Sequence, residues 1–200
     1  MDIRRGWRSR GHLPHADFAG LTQAITFRLA DALPAAVLDR LRTHLSEEHP
    51  GAAPDIADAL LRERVHGYLD AGHGSCLLRE PTLAEAVAEQ LRLHDGPWYD
   101  LIAYVIMPNH VHVLVRMRGV SIGQVVQVWK GASARAINRL RVGSGTVWQH
   151  EYFDRYVRDE AGLVAAVRYI AQNPPKAGLG EWAGLWVGEE WRHLIAPSAD

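Results

Sequence analysis

Between Tyr99 and Met117 the chain presents two β-rich apolar runs, Tyr99 to Pro108 and His110 to Met117, separated only by the polar break Pro108-Asn109. A break that short predicts a tight antiparallel connection, so the two runs are expected to be the central strands of a sheet. The β-branched stretch Ala24 to Leu29 predicts a further strand, and the aromatic stretch Val147 to Val157 a short one.

The remaining periodicity is helical. Pro34 opens a helix running to Glu48, with Val37, Leu38, Leu41 and Leu45 on its apolar stripe. Asp55 is expected to cap a second helix that buries Leu61, Val65, Tyr68 and Leu69 and ends at Gly72 and Gly74. Thr82 with Glu85 and Ser121 with Gln124 each have capping-box spacing, the first opening a helix to about Leu93 and the second a helix through Leu140. Asp159 caps a last helix through Gln172, which Pro174-Pro175 should halt. Strands and helices mixed in this way predict an α+β fold, an antiparallel central sheet flanked by helices. The expected organisation is an irregular arm over residues 1–20, one domain over 21–180 and a tail over 181–200 that holds three Trp without a clear period.

Composition excludes several classes. An apolar fraction of 48% and a charged fraction of 22% are those of a globular chain, and no apolar run approaches a membrane span. A single cysteine, Cys76, rules out an internal disulfide and any multi-cysteine zinc site, which suits a reducing cytoplasm. The net charge of -1 conceals a segregation: residues 31 to 115 sum to -7, residues 116 to 176 to +6. One basic stretch suffices as an electrostatic footprint for nucleic acid.

The sharpest chemical feature is His110-Val111-His112. On a strand, alternate side chains share a face, so both imidazoles stand on one side and can bind one cation. With Leu114 where a zinc hydrolase often places a third ligand, the pair leaves most of the coordination sphere to carboxamide, water and substrate oxygen, a donor set suited to Mg²⁺ or Mn²⁺ acting on a phosphodiester. The second feature is Tyr169 with Asn173, one turn apart near the end of the last helix. Tyr169 falls on the flank of the stripe formed by Leu163, Ala166, Val167 and Ile170, where a hydroxyl can reach a cleft as a nucleophile.

The runs Met107-Pro108-Asn109-His110-Val111-His112-Val113-Leu114-Val115, Lys130-Gly131, Trp148-Gln149, Glu151-Tyr152-Phe153-Asp154-Arg155 and Tyr169-Ile170-x-x-Asn173-Pro174-x-Lys176-Ala177-Gly178-Leu179 together resemble the single-tyrosine HUH transposases. The branch they are most similar to is that of the REP-associated tyrosine transposases, related to the IS200/IS605 enzymes. The resemblance spans roughly residues 21 to 180 and implies a ferredoxin/RRM-like HUH endonuclease fold. It implies His110, His112 and Asn173 as ligands of a divalent metal, and Tyr169 as the nucleophile that becomes linked to a DNA 5′ phosphate. Two departures stand out: Pro175 where relatives carry a branched apolar residue, and an acidic segment from about 34 to 97 that compact members lack, a dimer surface or a lid.

Three readings follow. The first is an enzyme that cleaves and rejoins single-stranded DNA near hairpins; the second is a domesticated hairpin-binding protein with little cleavage; the third is a metal-dependent phosphodiesterase using water. Intact His110, His112, Tyr169 and Asn173 favour the first. Phosphate contacts are expected from Lys130, Arg135, Arg139, Arg141, Arg155 and Arg158. Single-stranded or hairpin DNA is the expected partner, a homodimer is compatible with the habit of insertion-sequence relatives, and the expected location is the cytoplasm, in association with the nucleoid.

Overall fold

The computed structural model describes residues 7–9, 14–16 and 20–196. In chain order the elements are β1 (Trp7–Ser9), β2 (Pro14–Ala16), β3 (Thr22–Arg28), α1 (Ala35–Glu48), α2 (Pro54–Asp70), α3 (Pro81–Leu93), β4 (Tyr99–Ile106), β5 (His110–Met117), α4 (Ile122–Leu140), β6 (Phe153–Val157), α5 (Glu160–Lys176) and β7 (Leu185–Val187). Within the expected arm, β1 and β2 pair antiparallel; the rest of that arm lies outside the described residues.

Five strands form one antiparallel sheet in the order β6-β3-β5-β4-β7. The expected α+β architecture is present, with β5 at the centre and β4 joined to it through Met107-Pro108-Asn109, where Met107 N donates to His110 O at 2.8 Å. Both faces of the sheet are covered. Ile25, Phe27, Val111, Val113 and Val115 face one apolar cluster with residues of α3 and α4. Ala103, Val105 and Leu114 face a second with Val167 and Ile170 of α5. Double coverage explains why β4 and β5 read as continuous apolar runs rather than alternating ones.

Four details depart from the sequence reading. The second helix begins at Pro54, with Ala53 as its cap residue and Asp55 inside the first turn. Proline at the first helical position lacks the N–H that would otherwise go unpaired, so the cap moves upstream. The Thr82/Glu85 box does not close: Thr82 Oγ1 donates to Glu80 at 3.3 Å and Glu85 pairs with Arg92. Again a proline, Pro81, sets the start. The Ser121 box does form, Ser121 accepting from Gln124 N and donating to its side-chain oxygen.

Helix α5 does not stop before Pro174-Pro175 but runs to Lys176. The prolines sit in its final turn, Pro174 is buried, and the end is closed by Leu179 N to Pro174 O at 2.9 Å and Gly178 N to Pro175 O at 3.1 Å. That closure needs a left-handed residue, supplied by Gly178 at φ 69°. Finally, the supposed tail joins the sheet. Leu185–Val187 pair with β4, Trp182 Nε1 donates to Ile106 O, and Trp186 stacks on Tyr104.

Candidate active site

Among the described residues eight polar or charged side chains are buried, and six of them gather at one end of β3 and β5: Thr26, Arg28, Asn109, His110, His112 and Asn173. Burying polar groups costs free energy unless each finds a partner, so their concentration marks a built site.

Register explains the gathering. On β5, His110 and His112 share the face that carries Leu114, opposite Arg28 and Thr26 of β3. The two Nε2 atoms face each other at 3.0 Å. The remaining ring nitrogens are fixed from behind: His110 Nδ1 lies 2.7 Å from Asn109 Oδ1, and His112 Nδ1 lies 2.8 Å from Thr26 Oγ1. Asn109 Nδ2 donates to Leu69 O and His73 O, so its amide oxygen is the end turned to His110. His110 must then carry its hydrogen on Nδ1 and present a bare Nε2.

Such backing is how metal-bound imidazoles are held. Neighbouring ligands on an octahedral ion with bonds of about 2.1 Å stand ~3.0 Å apart, the spacing of the pair. The pair is therefore spaced as two ligands of one divalent ion, while among the described residues no group of three His, Cys, Asp or Glu side chains is placed to hold a metal ion. Burial, with repulsion from His66 and Arg28, lowers His110 to about 3, and burial drives His112 well below its ordinary value. Both are neutral and able to ligate at neutral pH.

Tyr169 comes from α5, whose Asp159 cap accepts from Gly162 N at 2.7 Å. Its ring meets the His112 ring edge-on at 5.3 Å between centroids, and its hydroxyl lies 2.9 Å from His66 Nδ1. Burial and the neighbouring Asp70 raise the phenol to about 12, against a smaller downward pull from the Asn173 amide. Asn173 is buried one turn on, its Nδ2 donating to Tyr169 O at 2.7 Å, which leaves its amide oxygen as the atom it can offer a cation.

Helix α2 contributes two groups that the sequence reading did not include. His66 touches Tyr169 and stands edge-on to His112 at 5.3 Å, and burial lowers it to about 4. Asp70, one turn later, places Oδ1 3.7 Å from His110 Nε2. Arg28 was also missed; it lies over the Phe153 ring and donates Nε to Gln149, and its charge bears on His66 and His110. The signal available was the i, i+4 spacing of His66 and Asp70, invisible without knowing which way α2 faces.

The expected phosphate contacts separate into three groups. Lys130 Nζ donates to Gln149 O at 2.6 Å and His150 O at 2.7 Å, so it ties α4 to the loop before β6, and burial lowers it to about 8. Arg135, Arg139 and Arg141 are exposed on α4 or at its end, and α4 covers the sheet face opposite the imidazoles. Arg155 is exposed and paired with Ala24, on the imidazole side, and exposed Arg158 lies over the Tyr156 ring just before α5.

Residues 83–173, from α3 to the Asn173 turn, match the model of the family described as transposase, IS200 like. That stretch of the chain is similar to IS200-like transposases. A solved REP-associated tyrosine transposase bound to a REP hairpin shares the fold, with a TM-score of 0.56 at 14% identity over 88% of this chain and 82% of that one. A putative transposase from Deinococcus radiodurans R1 aligns at 16% identity over 83% of this chain and 96% of that one, with a TM-score of 0.31. No curated protein matches the chain. The family match begins inside the stretch 34–97 set apart by sequence, so α3 belongs to the matched portion while α2, with His66 and Asp70, precedes it. No helix among the described residues is long and apolar enough to cross a membrane.

Proposed function

We propose that this protein is a transposase that cleaves and rejoins single-stranded DNA beside a hairpin, with Tyr169 as nucleophile and His110, His112 and Asn173 holding Mg²⁺ or Mn²⁺. The observation that carries the reading is the Tyr169 hydroxyl, held by His66 beside two imidazoles whose Nε2 atoms converge. The bound ion would supply polarisation of the scissile phosphate. Everything else falls to the chain.

Tyr169 Oη attacks phosphorus, the bond from phosphorus to the 3′ oxygen breaks, and the DNA 5′ phosphate stays on the tyrosine. A diester is exchanged for a diester, so the freed 3′ hydroxyl can attack in reverse and rejoin a strand without an external energy source. With its hydrogen on Nε2, His66 accepts the phenol proton at Nδ1 and can return it to the leaving 3′ oxygen. Tyr169 at about 12 and His66 at about 4 lie so far apart that the transfer is uphill at rest by on the order of 10 kcal/mol. The proton therefore moves as the new bond forms, not before. Arg28 adds a fixed positive charge beside the site.

The hairpin preference rests on the REP-hairpin-bound relative of the same fold. Arg155 and Arg158 lie on the side from which a strand would reach Tyr169, whereas Arg135, Arg139 and Arg141 would contact a duplex stem wrapped behind the sheet. The test is a single-stranded hairpin incubated with protein and Mg²⁺, followed by denaturing electrophoresis. Wild type should yield a protein–DNA adduct mapping to the peptide around Tyr169, Tyr169→Phe none, and Tyr156→Phe the wild-type amount. Cleavage without an adduct would make water the nucleophile, and cleavage at full rate in excess EDTA would remove the metal from the scheme.

A further inference from the structure

We propose that Arg28 is the anion receptor of this site: its guanidinium, fixed along one edge by Gln149, presents its two Nη groups to the phosphodiester that Tyr169 attacks. The proposal rests on the reading of Tyr169 given above. Arg28 is 5% exposed, and its Nε donates to Gln149 Oε1. Gln149 is held in turn, its Nε2 donating to Leu33 O at 2.7 Å and to Ala30 O at 3.3 Å, so its amide oxygen is the end turned to Arg28. The Phe153 ring supports the guanidinium face, with Cζ 5.0 Å from the ring centroid. One edge and one face are thereby fixed. Among the described residues Nη1 and Nη2 have no hydrogen-bond partner, and neither is sealed from solvent.

Holding the loop before β6 does not explain the residue. The Gln149 oxygen needs a donor, which a neutral side chain could supply, whereas a buried guanidinium brings a full charge with it. No carboxylate among the described residues lies within ion-pairing distance of Arg28, and Glu151 bears on it only from farther away. Such a charge is costly until an anion pairs with it.

Register says where that anion would lie. Arg28 is the direct partner of His110 on β5, as Thr26 is of His112, so the guanidinium rises from the imidazole face of the sheet. Its charge reaches both His110 and His66, and His66 holds the Tyr169 hydroxyl. The open Nη groups are thus on the same side of the sheet as the nucleophile. A planar pair of N–H donors matches two oxygens of a phosphodiester, and the match strengthens as negative charge builds on those oxygens during attack.

The test is binding of the full-length protein, in EDTA and by fluorescence anisotropy, to two hairpin strands. In one the junction that wild type cleaves is an ordinary phosphodiester; in the other it is an uncharged methylphosphonate. Wild type should bind the uncharged strand ~10- to 100-fold more weakly, the worth of a hydrogen bond to a charged group. Arg28→Gln should bind the ordinary strand that weakly and lose nothing further on the uncharged one, while Arg28→Lys, which keeps the charge without the fork, should recover only part. Wild type labelled with ¹⁵N-arginine gives a reading that needs no variant to fold: one guanidinium resonance should move with the ordinary strand and stay in place with the uncharged one. Wild-type affinity indifferent to the charge of the junction, equal losses in wild type and in folded Arg28→Gln, or no guanidinium resonance that tells the strands apart would overturn the proposal, and an adduct at Tyr169 would leave the reading beneath it standing. Cleavage without any adduct at Tyr169 would overturn that reading, and the proposal with it.

Discussion

Helices α2 and α5 reach the same pair of imidazoles by different routes. Helix α5 lies flat on the sheet, buries Val167 and Ile170 against it, and offers Tyr169 from the flank of that contact. Helix α2 buries Val65 and Leu69 in the cluster on the opposite face, and the Asn109 amide, bonded to Leu69 O, holds its end at the β4–β5 turn. From that position His66 and Asp70 look back at the site. One helix brings the proposed nucleophile; the other brings His66, the proposed acceptor of its proton, and Asp70. They also come from oppositely charged parts of the chain, -7 over residues 31 to 115 and +6 over 116 to 176.

The comparison breaks first at His66. If α2 takes part in the chemistry, His66→Ala should lower the rate of adduct formation by ~10²- to 10⁴-fold, the range for a lost general acid–base, while hairpin affinity measured by fluorescence anisotropy stays within a few-fold of wild type. Equal losses in binding and rate would reduce α2 to packing. Tyr169→Phe should likewise leave affinity intact, so that the two variants share a binding phenotype and differ only in whether any adduct survives.

The asymmetry between the helices also traces what could be read from sequence. The strand pair with His110 and His112 was legible because period-2 spacing and a tight turn are local, and Tyr169 with Asn173 because i, i+4 spacing is local too. His66 lies 103 residues from Tyr169, and nothing in the chain shows that α2 turns that edge towards it. The bonds of Lys130 to Gln149 O and His150 O were not legible, because they depend on where the loop before β6 returns. Leu185–Val187 escaped notice because three residues are too few for a period to declare itself.

A pH series separates the helices by titration. In EDTA the lowered histidines are protonated more readily in the unfolded chain. The stability they contribute is therefore fully present above about pH 6.5 and is lost as pH falls towards about 4 for His66 and about 3 for His110. His66 alone accounts for on the order of 3 kcal/mol of that loss. Asp70, with its raised pKa, works in the opposite sense. The acid limb should flatten in His66→Ala. Tyr169, raised to about 12, contributes stability present below pH 10 and lost above it, so Tyr169→Phe should alter only the alkaline limb. Urea midpoints from pH 4 to 11 read both limbs.

Charge gives a third contrast. If the strand enters over the α5 side, Arg155→Ala or Arg158→Ala should each reduce the slope of log affinity against log salt by about 0.7, the contribution of one phosphate on a single strand. Exposed acids on α2 such as Glu63 should oppose binding weakly, and Glu63→Gln should not reduce affinity. A slope that responds only to Arg135, Arg139 or Arg141 would place the bound strand behind the sheet, away from both α2 and α5.

The smallest effect concerns how each helix is anchored. Helix α5 has a side-chain cap of its own, Asp159 accepting from Gly162 N at 2.7 Å, whereas α2 begins at Pro54 behind Ala53, which offers no side-chain cap, and is positioned from its far end by Asn109. Asp159→Ala should therefore cost about 1 kcal/mol in a urea melt, the usual worth of a cap. Its kinetic effect should exceed its stability effect, because Tyr169 sits three turns along the helix that the cap aligns and the His66 contact tolerates little displacement. Asp55→Ala, lost from the first turn of α2, removes only a favourable charge near the helix N-terminus and should change stability by a few tenths of a kcal/mol and the rate not at all. Should Asp55→Ala slow adduct formation as much as Asp159→Ala does, α2 is held by its own N-terminus rather than by Asn109, and the proposed difference in anchoring fails.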